Sequence, residues 1–362
     1  MKKIQEADKN FKINTKIEEK DIVFHDVKEE PFDLYGLMRD ENDGKFIRIP
    51  KELAEKTNDG VALLYANTAG GRVRFKTDSP YVAISVKYPQ FMIFSNSPVS
   101  GIAGFDMFVY ENGSYSYVSD RDFIPEVPAI WGEEYEFESI HYFEDSKMRD
   151  ITINFPLYND VAELYIGIKE GSVLEGGGKY INDKPIVYYG SSITQGGCAS
   201  RPGNSYQAMV SRYFNCDYLN LGFSGSARGE DCMADYIADL DMCCFVYDYD
   251  HNAPEPEHLL KTHKKMFDKI RSKNPDLPII MMTAVLCKVW KGDEQARRRE
   301  IIKATYDAAI ASGDKNVYLI DSSDMFGEYN DIALVDGVHP NDLGFLYMAE
   351  RVKKEIKKAM NW

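Results

Sequence analysis

Ile186-Val187-Tyr188-Tyr189-Gly190-Ser191-Ser192-Ile193-Thr194 is the stretch on which the reading of this chain turns. Four apolar residues in a row, cut off by a glycine, suit a strand buried on both faces, and the glycine and serines that follow suit a sharp turn into a helix. The pattern repeats downstream. Apolar runs at 218–221, 243–247, 279–283 and 317–320 alternate with amphipathic stretches at 205–214, 230–240, 255–273, 293–312 and 343–360. This alternation predicts a three-layer α/β domain, a flavodoxin-like parallel sheet between two layers of helices. In such sheets functional groups gather beyond the C-terminal ends of the strands, which is where Ser192 falls.

Upstream of this stretch the period changes to two. Val82, Ile84, Val86 and Tyr88 share one face of a strand, 72–77 alternates, and Glu111-Asn112-Gly113 reads as the hairpin turn between 105–110 and 114–118. Segments 151–155 and 163–169 add further strands, and helical periodicity is almost missing. The region predicts an all-β, jelly-roll-like sandwich. Gly176-Gly177-Gly178 marks the junction, so the expected domains are 1–178 and 179–362.

A serine hydroxyl is a poor nucleophile at neutral pH; it needs an imidazole to take its proton and an acid to hold that imidazole in the right tautomer. Asp336-Gly337-Val338-His339-Pro340 offers both. Between the two segments, Asn220-Leu221-Gly222-Phe223-Ser224-Gly225 and Asp248-Tyr249-Asp250-His251-Asn252 each follow an apolar run. A glycine N–H and an asparagine amide are suitable donors for the oxyanion of a tetrahedral intermediate.

Serine, glycine, asparagine and histidine in this order resemble the SGNH (GDSL-type) hydrolase superfamily, over 184–362. The resemblance implies Ser192 as nucleophile, with Asp336 and His339 completing the triad and the Ser192 N–H, Gly225 N–H and Asn252 amide as the oxyanion hole. Two positions depart from the family pattern. Ser191 stands where Gly-Asp-Ser has aspartate, and Gly-x-Asn-Asp reads Asp250-His251-Asn252-Ala253. Pro31-Phe32-Asp33-Leu34-Tyr35 resembles the Gly-x-Asp-Leu-Tyr motif of β-domains that precede such esterase domains, and the two-domain arrangement resembles carbohydrate acetylesterases. The implied activity is a serine esterase that removes short acyl groups, acetyl first, from a hydroxylated substrate such as a glycan, with no cofactor and no metal. Two alternatives stay open: an acyltransferase using the same triad, and a glycan-binding protein with a non-catalytic SGNH domain.

The formal net charge of −15 argues against nucleic acid and anionic membrane as partners, leaving a small-molecule or oligosaccharide ester; a homo-oligomer stays open. The first 24 residues are strongly charged, with no signal-peptide-like apolar run, and no segment approaches the length of a membrane span, so a cytoplasmic protein is expected. The six cysteines lack Cys-x-x-Cys spacing and read as reduced thiols. If 248–250 continues a strand, Asp248 and Asp250 share a face while His251 points away, which favours hydrogen bonding that positions the Asn252 loop over a metal site. Arg201 either meets a polar substrate or makes a helix-entry salt bridge, and Trp290 either stacks on a sugar or packs. Arg297-Arg298-Arg299 is expected on a solvated helix face, and no exposed apolar lid is visible.

Overall fold

The computed structural model describes residues 17–362; residues 1–16 of the expected β domain, which also form much of the charged N-terminal segment, lie outside the described residues. The five apolar runs form one sheet. Numbered in chain order, its strands are β1 (Asn182–Gly190), β2 (Cys216–Gly222), β3 (Cys244–Asp248), β4 (Ile279–Met282) and β5 (Val317–Ile320). All neighbours pair in parallel, in the order β2-β1-β3-β4-β5. The chain therefore switches direction across the sheet between β1 and β3, the place where ligands bind in doubly wound sheets.

Alternation explains why each run is apolar throughout. Ile186, Tyr188, Val246, Ile280 and Met282 join the core on one face, under the helices Tyr206–Phe214 and Asp342–Met360. Their neighbours Val187, Tyr189, Phe245, Tyr247, Ile279 and Met281 join the core on the other, under Asp231–Asp239, Pro256–Lys273 and Glu294–Ala311. Both faces of the sheet are dry.

Residues 22–176 form two large antiparallel sheets and a small two-stranded one that pairs Met38–Arg39 with Phe46–Ile47. The four-stranded one runs Ile22–Asp26, Glu163–Lys169, Tyr81–Tyr88, Tyr135–Tyr142. The six-stranded one is built on Arg72–Thr77 and Arg149–Asn154, extended on one side by Asp106–Glu111 and Ser114–Tyr117 and on the other by Leu174–Gly176 and Asp33–Tyr35. Asn112 and Gly113, with φ of 54° and 79°, make the two-residue hairpin turn that sets Glu111 opposite Ser114.

The expectation of a first half almost without helices is corrected. Lys51–Thr57 and Asp59–Leu64 are helical, and Asn58 caps the second by accepting from the Val61 N–H at 2.9 Å. Their apolar residues Ala54 and Val61 are buried among Met233, Ala234 and Ile237 of the parallel half. Segments of one or two turns carry too few apolar positions for a period to show; packing holds them.

The glycine run is not a slack linker either. Gly176 pairs with Phe75, a Cβ on Gly177 would lie 2.6 Å from the Arg74 Cβ, and the Gly178 N–H donates to the Asp150 carboxylate at 3.1 Å. Across the junction the core is continuous: Phe75, Ile84, Ile153 and Ile166 share one buried cluster with Tyr188, Tyr218 and Phe345. Polar ties reinforce it. Buried Arg72 stacks on Tyr218 at 3.9 Å and donates to the Asp217 carboxylate, while Arg48 donates to the carbonyls of Asn220 at 3.1 Å and Gly222 at 2.5 Å. Among the described residues, no helix is long and apolar enough to cross a membrane, and the six cysteines are free thiols.

Candidate active site

β1 ends at Gly190, and a one-turn helix, Ser192–Gln195, starts two residues later. Glycine is required at 190 because a Cβ there would lie 1.9 Å from Asp248 Oδ1 and 2.2 Å from Thr194 Oγ1. The Thr194 hydroxyl donates to the Asp248 carboxylate through that space, tying the turn to the end of β3. The two serines then divide the work. Buried Ser191 caps the helix, its hydroxyl accepting from the Ile193 N–H at 3.2 Å, and Ser192 is left half-buried with its hydroxyl turned to a partner outside the turn.

That partner is His339. Ser192 Oγ and His339 Nε2 are 2.9 Å apart, and His339 Nδ1 lies 2.8 Å from Asp336 Oδ2. An Nδ1 proton donated to the carboxylate leaves Nε2 as the acceptor for the serine hydroxyl. Asp336 Oδ1 accepts from the backbone N–H groups of Val338 at 3.1 Å and His339 at 2.9 Å. Its Oδ2 takes a further donor, the side-chain amide of Asn96 at 2.9 Å. Partial burial would push the Asp336 carboxyl up, but the His339 N–H, the Asn96 amide and the His339 ring together hold it well below the usual carboxylate range. The loop is anchored on both sides: the Val335 N–H donates to the His339 carbonyl at 2.8 Å, and Asn341 caps the helix that follows.

Opposite lies the loop after β3. Tyr249–Asn252 is a 3₁₀ turn and not a continuation of the strand, so the face argument for Asp248, Asp250 and His251 is corrected. Asp250 is sealed inside, its Oδ2 accepting from the Ala284 N–H at 2.7 Å, and burial pushes its carboxyl up to about 7. Burial, with His339 and Arg298 adding to it, pushes His251 down to about 3, so the ring is neutral at physiological pH. Arg298 corrects another expectation: it is buried, donating to the carbonyls of Asp250 at 2.6 Å and Ala253 at 2.9 Å and so bracing the turn. Asn252 gives one amide proton to the Phe223 carbonyl at 2.8 Å and keeps the other. The N–H groups of Ser192 and Gly225 have no hydrogen-bond acceptor among the described residues. Gly225 holds a positive φ of 68°, in the left-handed region that favours glycine.

Arg201 stacks on Tyr117 at 3.7 Å and faces the buried carboxylate of Asp106 at 3.6 Å, contacts that tie the loop after Ser192 to the antiparallel half. Trp290 stacks on His251 at 5.1 Å with the Arg298 guanidinium 4.5 Å over its ring, so it packs behind the Asn252 turn. Two residues went unread in the sequence, Asn96 and Tyr158, whose hydroxyl donates to the Ser192 carbonyl at 3.1 Å, and Arg298 was misread as solvated. Asn96 and Tyr158 stand in no motif and carried no signal; Arg298 could have been suspected from a basic residue one turn inside a helix beside Trp290. Ligand atoms of Cys198, Asp336 and His339 lie within 4.8 Å of one another, a spacing that could hold a metal ion. Asp336 and His339 are bonded to each other, however, and burial pushes the Cys198 thiol up, away from the thiolate a metal needs.

Comparison with known proteins places both halves of the chain. Residues 183–357 match the GDSL-like Lipase/Acylhydrolase family, and residues 22–174 match the family described as the N-terminus of SGNH-hydrolase-type esterases. A search of the curated proteins found no match. Among solved structures, a protein from Bacteroides ovatus ATCC 8483 named as a GDSL-like lipase is 27% identical, with a TM-score of 0.83 over 94% of this chain and 98% of its own. A salicylyl-acyltransferase from a tetracycline biosynthetic pathway is 20% identical, with a TM-score of 0.73 over 94% of this chain and 98% of its own. An acetyl xylan esterase from Butyrivibrio proteoclasticus shares the fold at 12% identity, with a TM-score of 0.57 over 94% of this chain and 99% of its own. One match ends at 174 and the other begins at 183: residues 183–357 form a GDSL-like lipase/acylhydrolase domain, preceded by the N-terminal region that accompanies SGNH-type esterases.

Proposed function

We propose that this protein is a serine esterase that removes short acyl groups, acetyl first, from a hydroxylated substrate such as a glycan. One observation carries the reading: the continuous hydrogen-bonded path from Ser192 Oγ through His339 to Asp336, just past the end of β1. Ser192 attacks the ester carbonyl while His339 Nε2 takes its proton, and the carbonyl oxygen becomes an oxyanion facing the N–H groups of Ser192 and Gly225 and the second amide proton of Asn252. The intermediate collapses by breaking the bond to the alcohol oxygen, which leaves with the proton from His339. Water then repeats the sequence on the acyl-enzyme, with His339 again as base, releasing the acid and the free serine.

The short-acyl part of the reading faces one feature that the sequence did not reveal. Val127, Ile130 and Trp131 are 53%, 66% and 54% exposed. Their segment is tied to 90–91 by the Gly132 N–H donating to the Phe91 carbonyl at 2.7 Å, a few residues before Phe94, which packs on Tyr158 at 5.5 Å. A panel of p-nitrophenyl esters from C2 to C12, run beside acetylated oligosaccharides, tests the proposal. Acetyl substrates are expected to turn over fastest, and Ser192→Ala is expected to lose activity by a factor of about 10⁴ or more. A Ser192→Ala variant keeping more than about a tenth of wild-type turnover rejects the nucleophile. Faster cleavage of C12 than of acetyl rejects the short-acyl limit. Transfer to an added alcohol that outruns hydrolysis reassigns the protein as an acyltransferase.

A further inference from the structure

We propose that Asn96, supplied by the antiparallel half, is a positioning residue of the acid–base pair, its amide fixing the Asp336 carboxylate against His339. The inference rests on reading Ser192, His339 and Asp336 as the catalytic relay. Asn96 lies between the strand Tyr81–Tyr88 and the short helix Val99–Ile102, 240 residues from its partner in the chain.

Among the described residues the Asp336 carboxylate has four donors, two on each oxygen. Those on Oδ1 are backbone N–H groups of its own loop, which restrain rotation of the carboxylate about the Cβ–Cγ bond from one side. On Oδ2, the oxygen that receives His339 Nδ1, the second donor is Asn96. Among the described residues it is the one donor to this carboxylate from outside the loop, and it restrains the same rotation from the other side. The segment around Asn96 also grips the nucleophile side. Ser97 Oγ contacts Cys198 Sγ at 3.6 Å, and the Ser100 hydroxyl donates to the Ser200 carbonyl at 2.5 Å. The Tyr158 N–H donates to the Ile102 carbonyl at 3.2 Å, and the Tyr158 hydroxyl reaches the Ser192 carbonyl. One short stretch of the antiparallel half thus touches the acid directly and the nucleophile through one intermediary. It sets the spacing between them.

The arrangement has an electrostatic consequence. A neutral amide donor draws off part of the negative charge on the carboxylate, which makes it a weaker acceptor for the imidazolium of His339. Removing the amide returns that charge to the pair, and replacing it with a second carboxylate adds more. Both changes favour protonated His339 and move its titration to higher pH. Among the described residues, the other titratable groups around the histidine are the Cys198 thiol beside Asp336, the Tyr158 hydroxyl, which borders Gly197 as the His339 ring does, neutral His251 with Arg298 behind it, and Lys288, whose ammonium is paired with Asp331 at 2.6 Å. Of these, the Cys198 thiol is linked to position 96, through Ser97, whose hydroxyl donates to Asn96 Oδ1 at 3.2 Å and contacts Cys198 Sγ at 3.6 Å.

The test uses the full chain and reads the His339 ring by NMR titration, assigned with His339→Ala, beside the pH profile of kcat/KM. Asn96→Asp is expected to raise the titration midpoint and the acid limb by about one pH unit. Asn96→Ala is expected to raise both by less and to lower kcat by about tenfold with KM within about twofold. If Asn96→Ala fails to fold, Asn96→Ser, shorter and neutral, replaces it with the same expectation. An unmoved midpoint in Asn96→Asp overturns the proposal, and so does a loss of kcat in Asn96→Ala without any movement of the acid limb, which would mark a merely structural contact. The NMR titration needs no substrate. Failure of the relay reading would appear as an active Ser192→Ala, while the effect of Asn96 on the histidine is scored independently.

Discussion

At the C-terminal rim of the parallel sheet, the loop after β3 seals Asp250 in the interior, where burial pushes its carboxyl up to about 7, whereas the loop before the last helix keeps Asp336 near the surface at the junction of the two halves. There its donors hold it well below the usual carboxylate range. The same residue type serves opposite ends. At Asp250 burial outweighs the backbone N–H groups, the Ala284 N–H first, that it accepts from, so it is more comfortable neutral; Asp336 has donors on both oxygens, the His339 ring and the Asn96 amide among them, and is held as an anion. Burial and the donors around each carboxylate separate the two.

The comparison is tested most severely by neutralising each acid in turn. Asp336→Asn is expected to lower kcat by about 10⁴ while the protein stays folded, because an amide in that place lets the imidazole take the wrong tautomer. Asp250→Asn is expected to leave kcat within a few-fold of wild type. Kinetics on p-nitrophenyl acetate measure both, and equal losses would erase the distinction. Next in size is the brace of the β3 loop. Arg298→Met leaves the carbonyls of Asp250 and Ala253 without their buried donor, which is expected to cost about 2–4 kcal/mol in chemical denaturation. A change below about 0.5 kcal/mol would mean that the loop holds itself.

Asn252→Ala bears on what this braced loop is for. Its free amide proton faces charge that develops only in the transition state, so kcat should fall about a hundredfold with KM nearly unchanged. An unchanged kcat would assign the oxyanion to the two backbone N–H groups alone. The smallest expected effect concerns pH and stability. With its folded value raised to about 7, above the ordinary 3.8, Asp250 contributes stability that is fully present below the unfolded value and lost as pH rises through about 7. Asparagine cannot ionise. Asp250→Asn should therefore gain a few degrees in Tm relative to wild type between pH 5 and pH 8, and a constant difference would show that the carboxyl titrates lower than this.

Much of the parallel half was legible in the chain. Runs such as 186–189 and 279–283 are apolar on consecutive residues because both faces of the sheet are covered, and the helices between them follow the amphipathic stretches closely. The hairpin at Asn112-Gly113 was legible for a local reason, two adjacent residues that tolerate positive φ. The helices Lys51–Thr57 and Asp59–Leu64 were not, because they are held by packing against Met233 and Ala234 of the other half. Arg298 was misread for a related reason: a guanidinium in a basic run looks solvated until the carbonyls that it satisfies are seen to turn inward. In the candidate site, Ser192, Asp336 and His339 were named from motifs, and the structure brings them within hydrogen-bond distance.

The sequence by itself determined the order of strands and helices in the second half and the local turns that present Ser192 and His339, because periodicity, glycine placement and capping act over a few residues. Tertiary structure alone decided what surrounds those turns. The meeting of Asn96 with Asp336 and of Tyr158 with the Ser192 carbonyl depends on how two halves with a shared core are pressed together, and a hydrogen bond between residues 240 positions apart leaves no pattern in the chain from which to read it. Charge follows the same division: both loops spell an aspartate, and only the packing around each carboxylate fixes whether it is held as an acid or as an anion.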